Sequence, residues 1–390
     1  MPLQTRALSS TDFFRKVPAD IAADIHTVIQ LLKSVYRAKS YIVGGAVRDY
    51  LLGRCSMDFD IECYDITRED FEKAMGELGA EGVGRSFFVY KYHHLDIALP
   101  RFEKKVAKGH RGFEVSLATD AREASKRRDF TVNALMYDPE RGEILDHWGG
   151  LQDLDDRLLR AVDRNSFVED SLRVLRAMQF TARFGFRVEE ESCRLCRTIS
   201  LDDLPKERIF SEFEKMFRSD YPHYGLYYLF ALGIARQLFG IDVERISFVK
   251  LAKELATKRE SFLESLLPYY FPYIFSSSLG IDANEMLEKI GAPGVYFKTI
   301  ANVPRLPETI DCAFVAGVAK KEGIESYVGN YHPRVRALAE RLDIWEHPFD
   351  GGVTPTALMA EGYEGKALGE ELERRRVERI GGLNEDCTES

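Results

Sequence analysis

Residues 41–60 read YIVGGAVRDYLLGRCSMDFD, and this stretch predicts how the fold of the chain begins. Residues 41–43 are apolar and β-prone, whereas residues 46–52 have the composition of a helix that ends at Gly53. A strand, a Gly-Gly turn and a helix start place free backbone N–H groups at the positive end of a helix dipole. The segment is therefore suited to phosphate.

A pair of carboxylates follows on the next strand, which we predict over residues 57–64. Side chains alternate across a strand, so Asp58 and Asp60 share one face while Phe59 and Ile61 share the other. Two neighbouring carboxylates repel each other unless a cation lies between them, and oxygen ligands of this kind suit Mg²⁺. We expect Asp58 and Asp60 to bind Mg²⁺ and to be the catalytic pair.

Two further segments carry charge in patterns that suit a nucleotide. Residues 126–133 read KRRDFTVN, and paired arginines bind phosphate in a bidentate way that lysine cannot. A capping-box pattern of Ser166 with Glu169 places the start of a predicted helix over residues 166–182. Within it, residues 169–176 read EDSLRVLR, and Asp170, Arg173 and Arg176 share one stripe. The stripe offers acceptors and donors to the edge of a base. An ordinary salt-bridged helix start and an ordinary ion pair are the structural alternatives.

The order of elements predicts an α+β head followed by an all-helical body. Strand and helix signals mix up to about Gly150, and helical periodicity dominates afterwards, as in residues 151–159, 189–198 and 206–217. Residues 101–113 are basic and contain glycine, which indicates a mobile loop. A charged helix is predicted over residues 365–380, and the last ten residues are predicted to be disordered.

Length, charge and hydropathy limit the class of protein. A chain of 390 residues with 45% hydrophobic and 30% charged residues is typical of a soluble protein of two or more domains. A net charge of -9 argues against a uniformly basic nucleic-acid binder, although a local basic groove remains compatible with it. We expect a cytoplasmic protein without membrane contact, because no signal peptide is evident and the apolar stretches are too short or contain Pro268 and Pro272.

Together these segments predict nucleotidyl transfer. The phosphate turn, the acid pair, the arginines and the base-reading helix each supply one part that such a reaction needs. The alternative to an enzyme is a non-catalytic RNA-binding protein that keeps the fold of such an enzyme. A protein of that kind would be expected to have lost one of the acids or arginines, and this chain keeps them.

The chain resembles the class II tRNA nucleotidyltransferases, the CCA-adding family, over most of residues 35–220. The resemblance is carried by five motifs in the family's order: GGAVRDYLLG with DFD, RRDFTVNAL, DHWGGLQD, EDSLRVLRA and KERIFSEFEKMF. It implies a polymerase-β-like nucleotidyltransferase head with a mixed sheet at residues 1–150, a helical neck at 151–220, a helical body at 221–330 and a tail at 331–390. The tail is expected to contact tRNA.

The resemblance also implies an activity and its partners. CMP, CMP and AMP from CTP and ATP would be added to the tRNA 3′ end without a nucleic-acid template, with Mg²⁺ as cofactor and release of diphosphate. The family's site residues carry over by position. Asp58 and Asp60 would hold the metal, and the nucleotide-binding set would be Gly44, Gly45, Arg48, Asp49, Arg128, Asp129, Asn133, Asp170, Arg173 and Arg176. Asp170 and Arg173 would pair with the base.

Some positions leave alternatives open. Gln179 stands where the family often has a second basic residue, and Asp96 is our candidate for a third acid at the metal. Residues 84–87 read GRSF and lack the doubled basic residue that poly(A) polymerases usually show. The loop at residues 101–113 is intact, which disfavours a CC-only enzyme and leaves full CCA addition or A-only addition.

Overall fold

The computed structural model describes residues 3–7, 13–83, 89–105, 113–117 and 120–386. The chain divides into two compact units, one of residues 1–177 and 185–203 and the other of residues 178–184 and 204–390. Every strand among the described residues lies in the first unit, and the second is helical. The predicted α+β class with a mixed sheet is therefore confirmed. The finer domain limits near residues 150, 220 and 330 remain predictions.

An eight-stranded sheet forms the centre of the first unit, in the order β1-β10-β9-β2-β3-β6-β5-β4. Its neighbours are antiparallel except β3 and β6, which are parallel. A separate antiparallel pair is formed by β7 and β8, and a short parallel pair by β11 and β12. The strands are β1 (Gln4–Ala7), β2 (Lys39–Val43), β3 (Phe59–Tyr64), β4 (Glu81–Gly82), β5 (Val89–Tyr92), β6 (Leu95–Ala98), β7 (Arg101–Lys105), β8 (Phe113–Leu117), β9 (Met136–Asp138), β10 (Glu143–Asp146), β11 (Leu158–Leu159) and β12 (Arg187–Val188).

The two faces of this sheet have different neighbours. On one face, Phe59 and Ile61 of β3 pack in the main core with two helices, Ala19–Ser34 and Arg68–Leu78. The second helix begins at Thr67, whose hydroxyl accepts the Asp70 N–H. The other face carries the side chains that alternate with these, and it bears the candidate site. The remaining helices of the first unit are Gly45–Leu51, Ala121–Ser125, Gly150–Asp155, Arg164–Phe167, the first residues of Leu172–Phe184, and Glu190–Thr198.

The second unit buries aromatic side chains between its helices. Phe217 stacks on Phe271 with ring centroids 5.5 Å apart, and Phe271 stacks on Phe275. Such offset pairs add to the area that is buried. Its helices after Leu172–Phe184 are Lys206–Phe217, Pro222–Ala231, Ile234–Phe239, Arg245–Lys258, Leu267–Leu279, Ala283–Ile290, Gly294–Tyr296, Cys312–Val318, Pro333–Arg341, Pro355–Ala360 and Gly365–Asp386.

The long helix predicted over residues 166–182 is wrong, because the chain breaks it in two. Asp163 caps a first turn at Arg164–Phe167 by accepting the Ser166 N–H, and the Asp170 carboxylate accepts the Leu172 N–H where the second helix starts. Asp side chains compete in this way with the helical hydrogen bonds of the backbone. The predicted capping by Ser166 therefore does not occur.

Other boundaries also differ, among them the start of β3, which is Phe59 rather than residue 57. The helix predicted over residues 151–159 ends at Asp155, and Leu158–Leu159 forms β11 because it pairs with β12. The ends of the predicted mobile loop are strands β7 and β8, while residues 106–112 lie outside the described part. The C-terminal helix continues to Asp386, so disorder of the last ten residues is wrong for residues 381–386. Residues 84–87, whose sequence disfavours a poly(A) polymerase, also lie outside the described part.

Among the described residues, none of the helices combines the length and the hydropathy that crossing a bilayer requires.

Candidate active site

A strand, a turn at Gly44 and a helix follow one another as predicted, but the helix is Gly45–Leu51 rather than residues 46–52 and so includes Gly45. Gly44 has a φ of +76°, a conformation that glycine adopts without the steric cost of a side chain. A Cβ atom on Gly44 would lie 2.6 Å from Arg128 Nη1 and 3.6 Å from Asp60 Oδ2. The turn is therefore approached by a guanidinium and a carboxylate at once. The Gly44 N–H donates to Leu135 O, so it is not one of the free donors that the sequence predicted.

The acid pair lies beside this turn. Asp58 precedes β3 and Asp60 is in it, and both are exposed while Phe59 and Ile61 are buried. The predicted alternation is confirmed. Asp60 is paired in register with Asp96 on β6, so the candidate third acid is the cross-strand neighbour of the pair.

The electrostatics of Asp60 suit a cation. Partial desolvation raises the pKa of Asp60 above its ordinary value, Arg128 opposes that rise, and Asp96 and Glu62 add to it. In the described part of the chain, no group of three or more His, Cys, Asp or Glu side chains forms a complete metal site. Two carboxylates that leave coordination positions for other ligands fit Mg²⁺, which is usually bound by one or two carboxylates together with substrate phosphates.

A carboxylate that the sequence analysis missed holds the two arginines. Glu62 is 2% exposed, and its Oε1 accepts from Arg128 Nη2 at 2.9 Å and from Arg127 Nη2 at 3.2 Å. Tyr64 donates its hydroxyl to Oε2 at 2.9 Å. Burial alone would raise the pKa of Glu62, but Arg128 and Arg127 hold it below the ordinary value. The period of two in β3 could have revealed this residue, since Glu62 continues the face of Asp58 and Asp60.

Arg128 is positioned to meet an anion. Its Nη1 donates to Asn133 O at 3.4 Å, which is a long bond, and its Nε is buried without a hydrogen-bond partner among the described residues. A buried donor that lacks a partner is costly, and a phosphate oxygen would satisfy it. Arg128 therefore fits the predicted triphosphate contact.

The other predicted nucleotide residues form a buried polar chain. Arg48 donates through Nε and Nη2 to Asp49 at 2.9 and 2.7 Å and through Nη1 to the Asn133 side chain. Asn133 donates to Asp129 Oδ1 at 2.9 Å, and Arg176 Nε donates to Asp129 Oδ2 at 2.6 Å. Although burial raises the pKa of Asp129, Arg176 and Asn133 hold it below the ordinary value. These five side chains bond one another, which suits a positioning role; direct contact with nucleotide remains a prediction for them.

Of the predicted stripe, Arg173 and Arg176 lie on the Leu172–Phe184 helix, whereas Asp170 precedes the helix and the prediction of a helical position is wrong for it. Asp170, Arg173 and Arg176 are partly exposed, whereas the apolar positions of the neighbouring stripe are buried, namely Leu172, Leu175, Met178 and Ala182. Arg173 donates to the backbone oxygens of Ser166 and Arg127. Gln179 is fully buried, and neither of its amide atoms has a partner among the described residues.

The turn at residues 146–153 is held by many hydrogen bonds. The Asp146 carboxylate accepts backbone N–H groups from Trp148, Gly149, Gly150 and Leu151 at 2.9–3.0 Å. A Cβ atom on Gly150 would lie 2.3 Å from Thr131 O, so glycine is required here by close approach of the backbone.

Comparisons with known proteins match the part of the chain that contains most of this site. Residues 40–160 match the Poly A polymerase head domain, and residues 185–241 match a domain described as a probable RNA and SrmB-binding site of polymerase A. The chain is 42% identical over 195 residues to the multifunctional CCA protein of Stenotrophomonas maltophilia (strain K279a). That match covers 47% of each protein, so the chain spans about half the length of this curated relative.

Solved structures show the same fold across nearly the whole chain. A Thermotoga maritima CCA-adding enzyme complexed with tRNA matches at 22% identity with a TM-score of 0.68, covering 99% of this chain and 96% of that one. A CCA-adding enzyme with CTP matches at 23% identity with a TM-score of 0.68, covering 98% and 97%. The Bacillus stearothermophilus CCA-adding enzyme in complex with CTP matches at 22% identity with a TM-score of 0.65, covering 96% and 95%.

Proposed function

We propose that the chain adds CCA to the 3′ end of tRNA, because it matches the Poly A polymerase head domain and an RNA-binding domain and has the fold of the CCA-adding enzymes. The substrates would be CTP and ATP, and the product besides the extended tRNA would be diphosphate. The observation that carries this proposal is the approach of Arg128 and Asp60 to Gly44, within a head that matches the Poly A polymerase domain.

Asp58 and Asp60 would hold a divalent cation, and we propose Mg²⁺. When bound, such a cation neutralises charge that develops on a phosphoryl group and activates an attacking hydroxyl. The support is the exposed carboxylate pair and the raised pKa of Asp60, which a cation would reverse. Asp96 would add negative charge next to Asp60 from β6.

Arg128 would bind the triphosphate, and the protein's part is mainly positioning and electrostatics. Gly44 has no side chain, so Arg128 lies against the turn, and a phosphate would bind beside this contact and Gly45. Arg48 and Asn133 contact each other, and Asn133 contacts Asp129, which binds Arg176. This chain would hold the short helix after the turn and the base-reading helix in a fixed relative position.

Asp170 and Arg173 would pair with the base, with Arg176 beside them. Arginine has five N–H donors, so Arg173 can share its guanidinium between the backbone oxygens that it now contacts and a base edge. The helical neck at 151–220, body at 221–330 and tail at 331–390 would carry the tRNA. A-only addition next to a separate CC-adding enzyme is the second candidate, and poly(A) polymerase is the third.

The test is incorporation on three tRNA transcripts that end before CCA, after C and after CC. Each transcript is given CTP, ATP or both, with Mg²⁺ and again with EDTA in its place. Growth of the first transcript to full CCA supports the proposal, and its loss in EDTA supports a metal requirement. Addition of A to the CC-ended transcript alone would identify the A-only activity. Long A tails on an unrelated RNA would identify a poly(A) polymerase.

A further inference from the structure

We propose that Glu62 is a positioning residue that holds the Arg127–Arg128 pair over the phosphate turn and keeps Arg128 away from Asp60. This inference rests on the proposed function for its substrate, because Arg128 is assigned there to the triphosphate. The geometry that carries it involves Asp60, Glu62 and Tyr64, which lie on the same face of β3.

The first step concerns the hydrogen-bond partners of the Glu62 carboxylate. Its Oε1 accepts both arginines, and its Oε2 accepts the Tyr64 hydroxyl, in a place where the side chain is 3% exposed. A carboxylate with both oxygens engaged and with little access to solvent is a poor metal ligand. Glu62 therefore differs from Asp58 and Asp60, although it continues their face.

The second step is the position that this contact gives to Arg128. Glu62 binds the Nη2 end of the guanidinium, and the Nη1 end then lies against Gly44, where a Cβ atom would be 2.6 Å away. The bonds of Nη2 and Nη1, to Glu62 and to Asn133 O, fix the plane of the group, because guanidinium donors form a rigid fork. Nε is left without a partner among the described residues.

The third step is what would happen without Glu62. Asp60 is a competing carboxylate close by, since both Asp60 Oδ2 and Arg128 Nη1 lie within 4 Å of the position of a Cβ atom on Gly44. An arginine released from Glu62 would be drawn to Asp60 by Coulomb attraction. It would then compete with the cation for Asp60 and would leave the triphosphate position.

The test compares the wild type with Glu62→Gln, and Glu212→Gln is the matched control. Glu212 is also 3% exposed in its side chain and is ion-paired, with Lys215 at 2.6 Å, but it lies on the Lys206–Phe217 helix of the second unit. Steady-state incorporation gives KM and kcat for CTP and for ATP. Calorimetry with inorganic triphosphate in the absence of metal measures binding separately, and Mn²⁺ titration followed by electron paramagnetic resonance measures the cation.

Glu62→Gln is expected to raise KM for CTP and ATP alike by about tenfold, with kcat changed less, because a charge-assisted contact is lost without a change in base reading. Triphosphate and Mn²⁺ affinities should each fall several-fold. Glu212→Gln should leave both affinities unchanged. A purely structural role for Glu62 would instead lower the active fraction and kcat at constant KM, and that result would overturn the inference.

Two further variants keep the inference testable if Glu62→Gln folds poorly. Tyr64→Phe removes only the Oε2 partner and should raise KM in the same direction by a factor of about two to three. In an Arg128→Ala background, Tyr64→Phe or Glu62→Gln should change KM much less than in the wild type, because only Arg127 is left for Glu62 to hold. Additive effects on KM in that background would refute the positioning role of Glu62.

If the wild type binds triphosphate and Glu62→Gln weakens that binding, yet no tRNA is extended, the proposed function fails while the positioning role stands.

Discussion

Replacing Asp129 by Asn tests the polar chain that joins the Gly45–Leu51 helix to the Leu172–Phe184 helix. Asp129 is 7% exposed and accepts three hydrogen bonds, from Phe130 N–H at 2.7 Å, Asn133 Nδ2 at 2.9 Å and Arg176 Nε at 2.6 Å. The asparagine has the same shape and can still accept through its oxygen. Its amide group would, however, face the Arg176 donor or the Asn133 donor, so the ion pair with Arg176 is lost.

The expected cost in the free energy of unfolding is about 2 kcal/mol. Breaking a fully buried ion pair costs roughly 3–5 kcal/mol. The Arg176 side chain is 32% exposed, so water screens part of its charge and the cost is smaller.

The cost should depend on pH in a defined direction. The pKa of Asp129 is lower in the folded chain than its ordinary value near 3.9, so the ion pair stabilises the fold above that value. The stabilisation is lost as pH falls below about 4 and through the lower pKa of the folded state. The difference between wild type and Asp129→Asn should therefore be complete at pH 7 and should shrink towards pH 3.

The assay is urea unfolding followed by Trp148 fluorescence in a Trp345→Phe background, so that the signal reports the first unit. Asp138→Asn is the control, since Asp138 is also 7% exposed but accepts mainly backbone N–H groups, from Glu140 and Arg141. The reasoning is refuted if Asp129→Asn costs less than about 0.5 kcal/mol at pH 7, which is the range of ordinary surface changes. A cost that stays constant down to pH 3 would refute the ion-pair explanation.

Three further predictions concern the site. Asp58→Ala should abolish tRNA-dependent incorporation without loss of stability, because Asp58 is exposed; surviving incorporation would disprove the metal assignment. Gly44→Ala should lower kcat/KM by tenfold or more, because its Cβ would lie 2.6 Å from Arg128 Nη1; Gly79→Ala is the control, since Gly79 also has positive φ, at +69°, but has nothing within 4 Å of a Cβ. Arg173→Ala should reduce discrimination among nucleotides in competition assays more than it reduces triphosphate binding, and an equal loss for all four nucleotides would contradict base reading.

Much of the local structure could be predicted because it follows from short-range periodicity. The burial of Phe59 and Ile61 opposite the exposed Asp58 and Asp60 follows from the period of two in a strand. The helix at Lys206–Phe217 was predicted with both ends correct, since Pro205 precedes its first turn and apolar residues recur at helical spacing.

The break between Phe167 and Leu172 could not be predicted in the same way. The two halves have helical periodicity, and a capping pattern at Ser166 was compatible with one continuous helix. The chain forms two helices rather than one because Asp163 and Asp170 each accept a backbone N–H at a separate helix start. Ser171 also donates to Asp203, 32 residues away in the chain, and no local pattern contains that contact.

By itself the sequence determined which chemical groups this protein has, and on which strand or helix face they lie, because strand and helix periods are local properties of the chain. Only the tertiary structure decided which of these groups meet. Glu62 reaches Arg127 across 65 positions, and Arg176 reaches Asp129 across 47. Such partners depend on the register of β3 with its neighbouring strands and on the packing of helices beside the sheet, and both are set by the burial of the whole core.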